Sequence, residues 1–403
     1  MQKTSAYLVR PLSLLLAFAG LLFVGQCRRL SPYARSLMTK GFPESYAVRL
    51  DALHARHPAW TFEPLPVDDL PWDEIVRREC TPAWNLVVYA TWAPPEWNVY
   101  GVDNYRPYYA PNAKAYDSGS WYQASEAAIA YFMDPRNFLG DTEIFMFETI
   151  GFNPAVHTVP TIERTLDGSF MADAGFDGGT NRFSALLLDV GRRIGVSPVF
   201  LAGRLALEQG PGSVQASGRI GDSLVELHRS PSGRIGNQTV WGTTYARNGT
   251  NTAAIVAKGA GAYNGYYNFF NIRAFGSGVF EIRYNAWKEA AEVDARHFGP
   301  WTTQERAIRG GALKVKERYV DTHRHTRYLQ KFSVDPAAGE FRWKQYMQNI
   351  ASPLVEARRT ALAYADAGTF DAPHRFIIPV YRDMPHAPCP DSAAGKSVYS
   401  PTK

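Results

Sequence analysis

Cysteine is scarce in this chain: three occur in 403 residues, at Cys27, Cys80 and Cys389. That spacing excludes a thiolate metal site, whose signature is paired cysteines two to four residues apart. If Cys27 is removed or lipidated, the other two are left to pair in an oxidising compartment or to stand as two structural thiols, and neither reading carries catalysis. The nine histidines are scattered. His323 and His325 lie two apart with no nearby third ligand, which reads as a solvated stretch rather than a zinc site. Basic residues are not concentrated either: the net charge is +5 with no long Lys/Arg block, which argues against nucleic acid and leaves an anionic polymer or surface compatible. "GAGAYNGYYN" lacks the Lys-Ser/Thr of a phosphate loop, so no nucleotide and no other cofactor is expected. No internal repeat is present. Nor is there a full bilayer span, because the apolar run Leu12–Gly25 has only 14 residues.

That run nevertheless says something. It follows Lys3 and Arg10 and precedes Gln26, Cys27, Arg28 and Arg29, the layout of an export signal. A cysteine directly after such a run raises lipidation, although Gln26 occupies a position where lipoprotein signals want a small residue. An uncleaved anchor is the alternative, with positive charge on both flanks leaving its orientation open. Export is the expectation, to the cell envelope or beyond, with residues 1–27 as signal or membrane anchor and 28–41 as a basic linker.

The rest can bury a large core: 45% of residues are hydrophobic and 13% aromatic. The expected class is α+β. "FPESYAVRLDALHARHPAW" has helical spacing and "WTFEPL" alternates as a strand. Residues 92–119, rich in Pro, Tyr, Asn and Gly, read as loop. Ser120 and Gln123 suggest a capping box ahead of "EAAIAYFM", which Asp134-Pro135 stops. Gly-rich "DAGFDGGTN" (173–181) marks a boundary near 180 between an N-terminal region, 42–180, and a mostly helical one, 181–385. Helices are expected at 182–194, 198–208, 280–298, 304–320 and near 343–366, and a strand at 375–381. The Gly310-Gly311 pair costs helix propensity and therefore suggests close approach of another backbone. Residues 386–403 read as a frayed tail.

Two constellations carry chemistry. In "VSPVFLAGRLALEQG", Ser197 and Pro198 open a helix, yet Glu208 sits in its last turn, where the carbonyl pole disfavours a carboxylate. Near apolar neighbours its pKa is expected to rise, as a proton donor for glycoside hydrolysis requires. The plain alternative is a surface pair with Arg204, one turn earlier, in the poorer orientation. "YNGYYNFFNI" (263–272) packs five aromatics and three asparagines into ten positions. Rings that stack on sugars and amides that bond hydroxyl and acetamido groups suit a saccharide subsite, although a core cluster is the competing reading.

With these residues in view, the chain resembles the bacterial glucosaminidases of glycoside hydrolase family 73, particularly large exported members with an N-terminal companion region. The resemblance runs in order through "LHARHPAWTFEPL", "YFMDPRNFL", "GVSPVFLAGRLALEQG", "YYNFFNI", "AIRGGA", "YLQKF", "QYMQNIASPLVEA" and "IIPVYRDMP", covering about residues 42–385. It implies a mainly helical, lysozyme-like catalytic domain at 181–385 and hydrolysis of β-1,4 N-acetylglucosaminyl bonds in peptidoglycan, the glycan strands being the partner. By position in their motifs, Glu208 matches the general acid and Tyr267 the active-site tyrosine. Gln209, Tyr263, Tyr266, Asn268, Phe270 and Asn271 are expected to line the sugar site.

The second carboxylate is less determined. Between Glu208 and Glu281 the acids are Asp222 and Glu226; either could serve as the second carboxylate, and the plainer reading of each is a solvated loop charge. Asn264 stands where family members often carry an acid, so the substrate's own acetamido oxygen is the favoured nucleophile. The stretch 219–262 is longer than in close relatives, with Trp241 and Tyr245 as sugar platforms or as parts of a surface excursion. A wall-binding protein without turnover and a lytic transglycosylase are the rival functions.

Overall fold

The computed structural model describes residues 30–88, 115–116, 121–210, 212–229, 231–235, 238–241, 263–276 and 279–391. The expected export segment and Tyr245 lie outside the described residues. None of the described helices is long and apolar enough to cross a membrane.

The chain enters through helices α1 (Pro32–Lys40) and α2 (Glu44–Arg56). The first corrects the expected linker. Ser31 Oγ accepts from Ala34 N at 2.9 Å, Gly41 closes the helix at φ 114°, and Ala34 and Leu37 are buried. Its charges lie on the outer face of an amphipathic helix, which a count of basic residues does not reveal. Strand β1 (Thr61–Pro71) follows, then α3 (Trp72–Glu79) and a small antiparallel sheet of β2 (Leu86–Val88), β3 (Ala115–Tyr116) and β4 (Trp121–Gln123), ordered β2-β4-β3. Helix α4 (Glu126–Met133) is capped by Ser125, whose side chain accepts from Ala128 N at 3.1 Å. The capping box expected at Ser120 and Gln123 is therefore misplaced: Gln123 belongs to β4, and its side chain accepts from Ala83 N at 2.9 Å. Ser120 lies outside the described residues.

Helices α5 (Val159–Leu166), α6 (Phe183–Ile194) and α7 (Pro198–Glu208) pack on one another. Helix Gln304–Tyr319 lies against α6, and helix Ser352–Asp366 against α5 and α7. The last of these begins later than the pattern near 343 suggests, because residues 343–351 run irregularly beneath it. A hairpin of β5 (Pro231–Ile235) and β6 (Gln238–Trp241) lies within the long 219–262 stretch.

The chain then returns to its beginning. Strand β7 (Arg375–Arg382) pairs in parallel with β1, Thr61 opposite Arg375 through Val67 opposite Tyr381. One contiguous core runs from Leu37 to Cys389 and takes residues from both sides of position 180, so the Gly-rich segment there does not divide two cores. The expected frayed tail is tied down as far as Asp391. Cys389 N donates to Asp134 Oδ2 at 2.8 Å, and the Arg136 guanidinium holds the carbonyls of Pro385, His386 and Ala387. Residues 392–403 lie outside the described residues. Cys80 and Cys389 are free thiols, each pushed up to about 11 by burial.

Candidate active site

Helix α7 is built to deliver its last residue. Ser197 Oγ accepts from Phe200 N at 3.1 Å, Pro198 fixes the first turn, and Val199, Phe200, Leu201, Ala202 and Leu205 anchor the apolar face. After Glu208 the backbone turns extended at Gln209, with φ −122° and ψ 98°. A remote loop takes over the capping. Gln209 is buried, and its Nε2 donates to Phe269 O at 2.8 Å and to Asn271 Oδ1 at 3.1 Å. This fixes the Asn271 amide so that its Nδ2 points at Glu208, donating to the backbone carbonyl at 3.1 Å and to Oε2 at 2.8 Å. Tyr346 donates its hydroxyl hydrogen to the other carboxylate oxygen, Oε1. The acid at the wrong pole of its helix is thus held by two donors from two distant segments.

Arg204 does not neutralise it in the manner weighed from sequence. It is buried rather than at the surface, donates from Nη2 to Gln330 Oε1 at 2.6 Å, and stacks its guanidinium 3.2 Å from the centroid of the Tyr346 ring. Tyr346 is consequently clamped between a cation on its face and a carboxylate at its hydroxyl. Burial raises that hydroxyl well above the ordinary tyrosine value; Arg204 opposes the rise and Glu208 adds to it. Tyr346 is the site residue that sequence reasoning missed. The available signal was its place in "QYMQNIASPLVEA", a segment matched as a whole.

The segment after Glu208 meets the aromatic decapeptide in reverse order of sequence. Glu208 meets Asn271, Gln215 O accepts from Asn268 N at 2.8 Å, Gly218 O accepts from Gly265 N at 2.8 Å, and Asp222 meets Asn264. Tyr267 lies over Gly218. A Cβ at that glycine would come within 2.8 Å of the ring, and φ 73° there independently favours glycine. Among the described residues the Tyr267 hydroxyl has no hydrogen-bond partner, so it is available to a ligand.

Asp222 and Asn264 bond reciprocally, Asn264 Nδ2 to Asp222 Oδ1 at 2.7 Å and Asp222 N to Asn264 Oδ1 at 2.9 Å. Arg219 Nε adds a bond to Asp222 Oδ2 at 3.2 Å. The Asn264 bond, then the Arg219 bond, hold the Asp222 carboxyl below its usual range. Glu226 follows one turn later in helix Ile220–Arg229. Trp241 closes strand β6, opposite Pro231.

Several expected sugar contacts belong to the core instead. Asn268 is fully buried, with Nδ2 given to Ile272 O and Ala286 O and Oδ1 accepting from Ile272 N. Phe270 packs on Gly311, where an added Cβ would meet its ring at 2.4 Å. Tyr263 is buried edge-on against Trp287, with centroids 4.4 Å apart, and Gln209 is a clamp. For Asn268 and Phe270 the reason is the turn itself: presenting Asn271 and Tyr267 outward sends the intervening residues inward, and the buried amide there finds backbone partners. Tyr266 is half-buried. Among the described residues no group of histidine, cysteine and carboxylate side chains is arranged to hold a metal ion.

With this geometry established, solved structures supply the comparison. The fold is similar to that of the major bifunctional autolysin, at TM-score 0.42 and 16% identity over 80% of this chain and 99% of that one. It is similar also to glucosaminidase B of S. aureus, at TM-score 0.43 and 16% identity over 80% and 94%. Autolysin E of S. aureus, solved with the disaccharide NAG-NAM, matches at TM-score 0.40 and 14% identity over 75% and 94%. No family model matches the chain, and no curated protein sequence matches it either.

Proposed function

We propose that this chain is a peptidoglycan hydrolase that cleaves the β-1,4 bond between N-acetylglucosamine and N-acetylmuramic acid, with Glu208 as general acid. The observation that carries the reading is the bond from Asn271, in the aromatic decapeptide, to Glu208 at the end of α7, which joins the two sequence motifs in one place.

The hydrogen bonds assign roles to the two carboxyl oxygens. Oε2 faces an amide N–H, which cannot accept a hydrogen, so the transferable proton belongs on Oε1. Tyr346 donates to that atom while it is unprotonated, so its hydroxyl hydrogen must turn away when Oε1 carries the proton for the glycosidic oxygen. In the favoured route the substrate's acetamido oxygen attacks its own anomeric carbon while Glu208 protonates the leaving oxygen. Water then opens the oxazolinium ring and returns a proton to Glu208. Tyr267, whose hydroxyl has no partner among the described residues, is the residue suited to orient the acetamido group. Both Asp222 oxygens are engaged by Asn264 and Arg219, which favours this route over one with Asp222 as base. Export of the protein is proposed on the N-terminal apolar run alone.

Digestion of purified wall, with mass spectrometry of the products, tests the reading. Reducing N-acetylglucosamine ends are expected; anhydro-muramyl ends would identify a transglycosylase, and intact glycan a binding protein. Glu208→Gln is expected to lower turnover by a factor of about 10² or more while retaining affinity for glycan. Unchanged hydrolysis by this variant would remove Glu208 from the acid's role.

A further inference from the structure

A cavity opens on the side of α7 that the mechanism does not use, next to the residues flanking the proposed acid. It has a volume of about 500 Å³ and lies between the end of α5 with its following turn, the end of α7, and helix Ser352–Asp366. Leu207 and Gln209, the residues on either side of Glu208, form part of its wall, and the exposed Gly210 has no side chain to obstruct the rim.

The lining is wrong for a sugar ring. Its aromatic residue, Phe200, is 1% exposed and offers no face for stacking. Charges of both signs line it instead: Arg164, Arg327 and Arg359 against Asp167, Glu356 and Asp366. Leu362, 61% exposed, adds apolar surface at the same wall. A short peptide that carries carboxylates, an amine and methyl groups matches this mixture; a neutral polysaccharide does not.

Arg327 gives an independent indication. It is 5% exposed, yet its Nε has no hydrogen-bond acceptor among the described residues, and the Glu356 carboxylate stands 3.8 Å away. Its Nη1 makes only long contacts, 3.4 Å each to Glu148 Oε2 and Phe145 O. A buried guanidinium with an unmade donor is costly unless an acceptor arrives, and a carboxylate is the acceptor that its fork fits best.

We infer that this cavity receives the peptide stem of the substrate, its carboxylates directed to the arginines and its amine to Asp167 or Asp366. The inference rests on the peptidoglycan reading. In that substrate the stem leaves muramic acid at C3, one carbon from the O4 that Glu208 would protonate, so the stem must lie close to the acid. The cavity makes the protein selective for glycan that still carries its peptides.

The experiment compares two soluble substrates with the full chain: peptidoglycan oligosaccharides with stems, and the same oligosaccharides after an amidase has removed them. The KM for the stem-bearing substrate is expected to be about tenfold lower, equivalent to about 1.4 kcal/mol. Arg164 and Arg359 are both exposed, so R164E/R359E and the milder R164A/R359A test the cavity without disturbing the core. Both doubles should erase the tenfold advantage and leave hydrolysis of stem-free glycan unchanged. Equal KM values for the two substrates in the parent protein, or variants that shift both alike, would overturn the inference. If neither substrate is cut, the hydrolase reading fails on its own. Titration of a soluble muramyl peptide into the full chain then decides: saturable binding lost in the double variants supports the stem site, and no binding overturns it.

Discussion

Glu208 is placed by a relay of side chains from distant parts of the chain. Gln209 sets the Asn271 amide, Asn271 holds Oε2, and Arg204 fixes Tyr346 by lying under its ring. A cation desolvated against an aromatic face contributes about 2 kcal/mol, enough to fix one ring orientation. Tyr346→Phe keeps that stack and removes only the bond to Oε1. It is expected to lower kcat by about 10–100-fold while KM changes by less than about twofold, measured by steady-state kinetics on soluble glycan. A fall in affinity with kcat intact would make Tyr346 a binding residue instead. At this scale the sequence exposes the acid, because a carboxylate in the last turn of a helix conflicts with the local field. It does not separate Asn271 from Asn268, since both are asparagines in one aromatic run. Which of them faces out is decided by Gln209 and by the backbone of Ala286, both contributed through tertiary contact, together with the local backbone of Ile272.

Among the elements, the glycines of helix Gln304–Tyr319 show local propensity yielding to packing. A Cβ on Gly310 would meet the carbonyl oxygen of His297 at 2.0 Å and Trp301 Nε1 at 2.4 Å, whereas one on Gly203 in α7 would meet only Thr165 Cγ2, at 3.8 Å. The same substitution therefore has opposite expected signs. Gly310→Ala should cost about 2–3 kcal/mol through forced displacement, and Gly203→Ala should be neutral or add up to about 1 kcal/mol of helix propensity. Denaturant unfolding of both variants measures this. Close packing at the glycine pair was legible because mid-helix glycines are expensive without a reason. The start of α7 was legible from Ser197-Pro198. The start of α4 was not, because Ser120 and Ser125 are equivalent as capping residues and only strand β4 between them decides. Residues 343–351 looked helical from composition, but they are held as an irregular segment by contacts such as Tyr346 N to Gln330 O at 2.8 Å.

At the scale of the whole molecule, one source of acid sensitivity is a buried imidazole. His157 Nδ1 accepts from Asn153 N at 2.8 Å, a bond available only to the unprotonated nitrogen, and its Nε2 lies 2.9 Å from Ser197 Oγ, the cap of α7. Burial, opposed by Glu148 and aided by His374, lowers its pKa from 6.5 to about 4. The neutral form is native, so this contribution is complete above the unfolded value of 6.5 and is lost as pH falls toward 4. About 2 kcal/mol should disappear between pH 7 and pH 5. His157→Asn should be less stable at neutral pH and should flatten that dependence in denaturant melts. An unchanged slope would place the acid sensitivity elsewhere. The overall class, helices with little sheet, was legible from periodicity. That the first strand and the last would be neighbours was not, because no local pattern encodes a partner so far along the chain.

That seam has a consequence for biogenesis. Glu63 and Arg375 grip one another across 312 positions of chain, so the edge of β1 waits without its mate until all the chain between them has been made. The opening helices can gather early, but the lock between the ends cannot shut until the far strand is delivered. A polypeptide of this design stays threadable until that far strand is made, and only then becomes rigid across the seam.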